Sequence, residues 1–151
     1  MRKLLIATGV LAACAAAAGS SMQLGPAGQA ATGHAAANSV TTPIVRTATT
    51  IAGQPLRFPG GRAEMVASAV DIPAGGSTPI HQHPWSRFVY VERGPLRVVN
   101  HDTGKMRDFQ TGEVFPEVVF QWHEGRAIAG PVRVIVIDVV PPGVNNSILR
   151  K

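Results

Sequence analysis

Three histidines of this chain have the spacing of metal ligands. His81 and His83 are two residues apart in an extended segment, and side chains two apart on a strand point to the same face. A divalent transition metal usually takes at least three protein ligands, so these two imidazoles cannot complete a site by themselves. His123 follows the apolar run VVFQW and is the other histidine placed on a core strand. The spacing therefore predicts one metal ion shared by His81, His83 and His123.

Another interpretation of these residues stays open. Histidines inside a barrel, or at its mouth, can be satisfied by hydrogen bonds without binding any metal. The two remaining histidines are interpreted as solvated residues without a role. His34 has no neighbouring ligand type, and His101 lies at the turn HDTG.

Arg87 has the same strand parity as His83 if the strand stays regular. A guanidinium stays charged at all relevant pH values and binds a carboxylate through two parallel hydrogen bonds. An inward Arg87 would therefore anchor an anionic ligand or pair with a nearby acid. Glu117, on the segment that leads to His123, is the acid we expect as its partner. The alternative is a kink at Pro84 that turns Arg87 outward to water.

The elements that carry these residues are short and rich in β-branched side chains. Gly and Pro breakers recur about every ten residues, and no segment shows the apolar period of a helix. This pattern predicts an all-β sandwich or barrel over residues 43–140. The predicted strand runs are IVRTATTI, PLRF, EMVASAV, RFVYVE, LRVVN, EVFPEVVFQWH and VRVIVIDVV.

The end of this region has two further features. The run VRVIVIDVV, residues 132–140, is apolar on both faces, which is typical of a strand covered on both sides or of a subunit contact. Residues 141–151 open with two prolines and are interpreted as a loosely packed C-terminal arm.

The N-terminal residues 1–18 have the pattern of a signal peptide. Arg2 and Lys3 precede an apolar, alanine-rich stretch that is too short to stay in a bilayer. Within this stretch, Leu11-Ala12-Ala13-Cys14 resembles a bacterial lipobox, in which the cysteine is lipidated. The alternative is an ordinary leader that is cut later at an Ala-x-Ala site. We therefore expect an exported protein, either soluble in the periplasm or anchored to a membrane by a lipid on Cys14.

Composition limits the remaining choices. Residues 19–42 contain almost no large apolar side chains and are interpreted as a flexible linker. Cys14 is the only cysteine, so the chain can form no internal disulfide. The net charge is +5, or +3 after subtraction of Arg2 and Lys3, and the arginines are scattered among acidic residues. This distribution gives no reason to expect nucleic acid as a partner.

The residues around the histidines resemble the cupin family. The first cupin motif, G-x5-H-x-H-x3,4-E-x6-G, is matched from Gly75 to Gly94 except at Arg87, which stands where the family has a glutamate ligand. The second motif is matched at Gly112 and at His123. The resemblance implies a double-stranded β-helix barrel, or jelly roll, that forms homodimers. It also implies one divalent transition metal as cofactor, which would be iron, zinc, nickel, copper or manganese.

Three functions are consistent with these residues. The ligand set is similar to that of three-histidine cupin enzymes, which implies an oxygenase or isomerase acting on a small anionic molecule held by Arg87. The second function is a non-catalytic periplasmic protein that holds a metal or a small ligand. The third is a structural module whose histidines have no role. Fold alone does not decide among them.

Overall fold

The computed structural model describes residues 39–151. The predicted signal peptide, Cys14, His34 and most of the predicted linker lie outside this range, so those interpretations stay predictions. Between residues 39 and 151, no helix is long and apolar enough to cross a membrane.

The described chain forms two antiparallel sheets, which confirms the all-β prediction. The four-stranded sheet has the order β1-β8-β3-β6, and the five-stranded sheet has the order β5-β4-β7-β2-β9. This arrangement is consistent with a jelly roll. The strands are β1 Glu64–Ile72, β2 His81–Gln82, β3 Arg87–Arg93, β4 Leu96–Asn100, β5 Met106–Phe109, β6 Val114–Pro116, β7 His123–Ala127, β8 Val132–Val140 and β9 Ile148–Leu149.

The core lies between the two sheets and is built by strict alternation. Along β8, every second residue is buried, and Val134 and Val136 face the same interior as Val89 of β3. The opposite sheet contributes Leu96 and Val98 from β4. Since β-branched side chains suit a pleated surface packed on one face, the short apolar runs are sufficient to specify these strands.

The predicted strand runs differ from the structure in two places. The run at residues 113–123 breaks after β6, and β7 starts only at His123. In the runs at 44–51 and 55–58, the structure forms only an isolated bridge between Thr49 and Pro55. Pro116 lies where the first run breaks, and Gly53 and Pro55 separate the other two. A short run cannot by itself reveal whether a partner strand lies beside it.

The C-terminal residues are more ordered than a loosely packed arm. Strand β9 pairs with β2, so that Leu149 lies opposite His81 and Ile148 opposite Gln82. Asn146 is buried, with 3% of its surface exposed. Residues beyond the predicted barrel boundary at 140 thus add a strand directly beside the first histidine.

The outer face of the four-stranded sheet is apolar at its centre and carries the ion pairs of Arg133 at one end. Ile135 and Ile137 of β8 point away from the core, and they lie opposite Tyr90 and Phe88 of β3, respectively. On the other side of β8, Ile137 lies opposite Ala67 of β1. A contiguous apolar face of this kind commonly marks a contact with another protein.

We propose that this outer face is the contact of the expected homodimer. Ile137→Arg should convert a dimer at micromolar concentration into a monomer, because a closed two-fold contact buries the same residue twice. Met106→Arg is the matched control, since Met106 is 63% exposed on the other sheet and should leave the dimer intact. Sedimentation velocity measures both, and a monomeric parent protein would contradict the proposal.

Candidate metal centre

The two sheet strands that carry the histidines place them against each other. His81 of β2 lies directly opposite His123 of β7 in the register, and His83 follows β2 by one residue. Glu117 joins them from the connection between β6 and β7. All four side chains are buried, and their ligand atoms lie within 4.8 Å of one another. The structure therefore brings together the three predicted histidines and adds a carboxylate.

The main chain fixes the orientation of each imidazole. The Nδ1 atom of His81 lies 2.7 Å from the carbonyl oxygen of Pro79. The Nδ1 atom of His123 lies 2.8 Å from the carbonyl oxygen of Gln121. A carbonyl only accepts hydrogen bonds, so Nδ1 carries the proton in each ring, and the neutral ring has a free lone pair on Nε2.

The third ring is held in the same way by a distant segment. His83 Nδ1 lies 2.8 Å from the carbonyl oxygen of Asn146. Metal-binding histidines characteristically use their second nitrogen for such a contact, which sets the tautomer and aims the ligand atom. All three rings of the cluster therefore have the orientation that a metal site requires.

The Nε2 atoms of His83 and His123 have no hydrogen-bond partner among the described residues, although both are buried. Glu117 Oε2 approaches them at 3.0 Å and 3.6 Å without hydrogen-bond geometry. Buried polar atoms are rarely left without a hydrogen-bond partner. The two Nε2 atoms aimed at the Glu117 carboxylate therefore indicate a ligand that both nitrogens can bind. Ligand atoms that share one ion at about 2.0–2.2 Å lie up to about 4.4 Å apart. The observed cluster therefore fits a divalent ion with only a small contraction.

Burial and charge act differently on the members of the cluster. Burial lowers the pKa of His81 to about 4, so this ring stays neutral. For Glu117, burial alone would raise the pKa, but contacts with His123 and His83 hold it well below its usual range. For His123, burial alone would lower the pKa, but the Glu117 carboxylate raises it overall. The Glu117 carboxylate therefore favours the protonated form of His123, and burial favours the neutral form of His81.

Arg87 points inward, but its partner is not Glu117. Its guanidinium donates two hydrogen bonds to Asp138, from Nε at 2.8 Å and from Nη2 at 2.7 Å. The register explains the choice, because Arg87 of β3 lies directly opposite Asp138 of β8. Glu117 is tied to Arg87 only through its main-chain N–H, which donates to the Arg87 carbonyl. The predicted Arg87 to Glu117 ion pair is therefore corrected to a pair with Asp138.

Glu117 instead provides the carboxylate that the first motif lacks at position 87. The sequence contained a signal for this position, because Glu117 lies six residues before His123 on the segment that leads to it. What the sequence did not reveal is that the chain passes here from β6 in one sheet to β7 in the other, so that Glu117 lies beside the histidines.

Asn146 is a further residue that the sequence did not single out. Its main-chain carbonyl contacts His83, and its side chain both accepts a hydrogen bond from the main chain of Trp85 and donates one to it. Trp85 N–H donates to Asn146 Oδ1 at 3.0 Å, and Asn146 Nδ2 donates to the Trp85 carbonyl at 3.1 Å. Asn146 Nδ2 also donates to Asp138. One buried amide thus connects the C-terminal segment, the histidine segment and the Arg87 pair.

A small cavity of about 40 Å³ lies beside the cluster. His81, Arg87 and Glu117 contribute its polar wall, and the remaining wall is almost entirely apolar. Such a space admits a water molecule or a ligand of very few heavy atoms, in contact with two of the clustered residues. His101 is not part of this wall, and its ring instead contacts Glu124 at 2.9 Å.

The structure is thus a two-sheet β-barrel with a candidate metal site of three buried histidines and a glutamate in its interior. Residues 68–139 match the family model described as the Cupin domain. The chain belongs to the cupin superfamily, which confirms the resemblance of its histidine motifs.

Two solved structures are similar to this chain over part of its length. The polyketide cyclase RemF from Streptomyces resistomycificus is 26% identical, with a TM-score of 0.48 over 61% of this chain and 66% of that chain. The DMSP lyase DddQ from Ruegeria pomeroyi DSS-3 is 21% identical, with a TM-score of 0.49 over 56% of this chain and 42% of that chain. The matched region spans less than two thirds of each protein. No curated protein sequence matches the chain significantly.

Asn146→Leu should lower the free energy of unfolding by about 2–4 kcal/mol, because it leaves the main-chain N–H and carbonyl of Trp85 without their partner and removes one of the hydrogen bonds to Asp138. Ser147→Ala is the neighbouring control. Ser147 accepts one hydrogen bond from Arg87, and Arg87 keeps both of its bonds to Asp138 when Ser147 is replaced. Ser147→Ala should therefore lower the free energy of unfolding by about 1 kcal/mol or less. Urea unfolding of both variants tests the difference, and equal losses would show that Asn146 has no special role.

Proposed function

We propose that this cupin domain binds one divalent transition metal ion through His81, His83, His123 and Glu117. The observation that carries the proposal is the pair of buried, unpartnered Nε2 atoms aimed at the Glu117 carboxylate. Three imidazoles and a carboxylate accept iron, zinc, nickel, copper and manganese, and the donor set does not select among them. Glu117 would also offset the ion's positive charge inside a barrel where water cannot.

We further propose that the metal-loaded protein is a small enzyme of the oxygenase or isomerase type. A bound ion would supply Lewis acidity and open coordination positions. The chain's own residues limit what reaches those positions, since the cavity beside His81 and Glu117 is small and mostly apolar. The substrate should therefore present a small group to this cavity and keep any larger part outside it.

We propose a smaller role for Arg87 in binding an anionic substrate than the sequence alone predicts. Arg87 lines the cavity, but Asp138 already neutralises most of its charge through two hydrogen bonds. An anion would therefore be attracted mainly by the metal ion, and Arg87 would contribute only the donors that Asp138 leaves available. This arrangement favours small ligands of low charge.

The alternative function is a non-catalytic protein that holds the metal or a small ligand. One observation favours it: Glu117 is the carboxylate among the cavity-lining residues, and it already faces the histidines, so no separate general base is evident there. Turnover of small acids by the metal-loaded protein, absent in His123→Ala, would support the enzyme. Tight metal binding without turnover would support the alternative.

Metal binding itself is tested by elemental analysis of untagged protein and by calorimetric titration. Each of His81→Ala, His83→Ala and His123→Ala should weaken binding by at least about tenfold, because each removes one ligand. His101→Ala is the control, since His101 lies outside the cluster and should leave affinity unchanged. Equal binding by all four variants would contradict the proposed site.

Affinity should fall as the pH falls. The raised pKa of His123 means that a proton competes with the metal for its Nε2 atom already above pH of about 6.5, the ordinary histidine value. Affinity should then drop by about tenfold per pH unit below that pKa, since one proton is displaced. His81, with a pKa of about 4, should add no further competition until much lower pH. A flat profile between pH 5 and about 7.5 would contradict this assignment.

A further inference from the structure

A second and larger pocket lies outside the metal centre. Its volume is about 780 Å³, within the range of small-molecule sites, and none of the four clustered residues lines it. Arg57 is the one charged residue in its wall, and the aromatic side chains Phe58, Trp85 and Phe120 line the same pocket. The pocket therefore combines a single cation with a mostly apolar surface.

Aromatic rings hold the Arg57 guanidinium. Its central carbon lies 5.0 Å from the centroid of the Trp85 ring and 5.3 Å from that of the Phe120 ring. Such contacts stabilise the cation through the ring faces and leave its in-plane N–H groups available as donors. Among the residues that the structure describes, no carboxylate pairs with Arg57.

The main chain around this guanidinium is held in place. Arg57 N–H donates to Ser86 Oγ at 2.6 Å, and Ser86 N–H donates back to the Arg57 carbonyl at 3.0 Å. Ser86 is fully buried and immediately follows Trp85. Because the main chain beside Arg57 is already held in place, less conformational entropy is lost when a ligand binds in this pocket.

Phe120 is displayed on the surface by an unusual backbone conformation. Its φ is 53°, a left-handed value that non-glycine residues rarely adopt, and 52% of its surface is exposed. Its N–H donates to the His83 carbonyl at 2.9 Å, and Gln54 binds both main-chain polar groups of Val119. Strained residues that the surroundings hold in place concentrate at functional sites.

We propose that this pocket binds a monocarboxylate with an aromatic or otherwise apolar body. One guanidinium with free N–H groups matches one carboxylate through two parallel hydrogen bonds. The apolar body would cover Phe58 and Phe120, which are 48% and 52% exposed. The amide of Gln54 is already committed to Val119, so an uncharged polar ligand finds few partners here. The site is separate from the proposed metal centre and does not depend on it.

The test is calorimetric titration of the full chain with 2-naphthoate, after metal has been removed by dialysis so that the carboxylate cannot bind an ion. We expect saturable binding that is at least about tenfold tighter than binding of the uncharged isostere 2-naphthamide. Arg57→Gln should weaken naphthoate binding at least about tenfold. The affinity of Arg57→Lys should lie between those of the parent protein and Arg57→Gln, because lysine keeps the charge but lacks the planar guanidinium.

Arg150→Gln is the matched control. Arg150 also lies over a tryptophan ring, that of Trp122 at 5.9 Å, but it does not line this pocket. Its substitution should leave naphthoate affinity unchanged. The proposal is overturned if naphthoate does not bind at millimolar concentration, if naphthamide binds as tightly, or if Arg150→Gln weakens binding as much as Arg57→Gln. Equally tight binding of inorganic phosphate would also overturn it, because the site would then be a general anion site.

Discussion

The candidate site depends on the pairing of His81 with His123 across strands β2 and β7. This register places two imidazoles side by side in the interior, with ring centroids 4.5 Å apart. Their Nδ1 atoms are used by main-chain carbonyls close in sequence, so their Nε2 atoms are turned toward the same point. His83 and Glu117 reach that point from connections beyond the strand ends. A shift of this register by one residue would turn one imidazole to the other face of the sheet, and the four ligand atoms would no longer lie close together.

The interior charges are arranged so that each has an immediate partner. Asp138 pairs with Arg87, and Glu117 faces the two histidines whose second nitrogens are unsatisfied. Burying charges costs several kcal/mol each unless partners compensate, so the barrel can hold both carboxylates only because of these contacts. The cluster carries one negative charge when its three rings are neutral. Either a proton on His123 or a metal ion can compensate it, which couples occupancy of the site to pH.

Connections, more than long strands, hold the site in position. The segment from Glu117 to His123 joins two strands and contains the left-handed Phe120. The C-terminal segment supplies the Asn146 carbonyl to His83 and the strand β9 beside His81. The C-terminal segment also binds the main chain of Trp85, whose ring contacts Arg57, and Phe120 lines the same larger pocket. The proposed carboxylate pocket and the proposed metal centre therefore share their supporting loops while their functional side chains remain distinct.

The sequence by itself determined the all-β class, the core-facing strands β1, β3, β4 and β8, and the three histidines of the cluster. Alternation of apolar residues and the spacing of His81 and His83 are local properties, and local pattern suffices to predict them. It did not determine the partners of the charged residues. Whether Glu117 meets Arg87 or the histidines depends on which strands are neighbours and on how the chain passes from β6 in one sheet to β7 in the other. Asp138 and Asn146, far away in sequence, reach Arg87 and His83 only because β8 packs beside β3 and the C-terminal strand returns to β2. Contacts between residues so distant along the chain are decided by tertiary packing, and no short-range pattern encodes them.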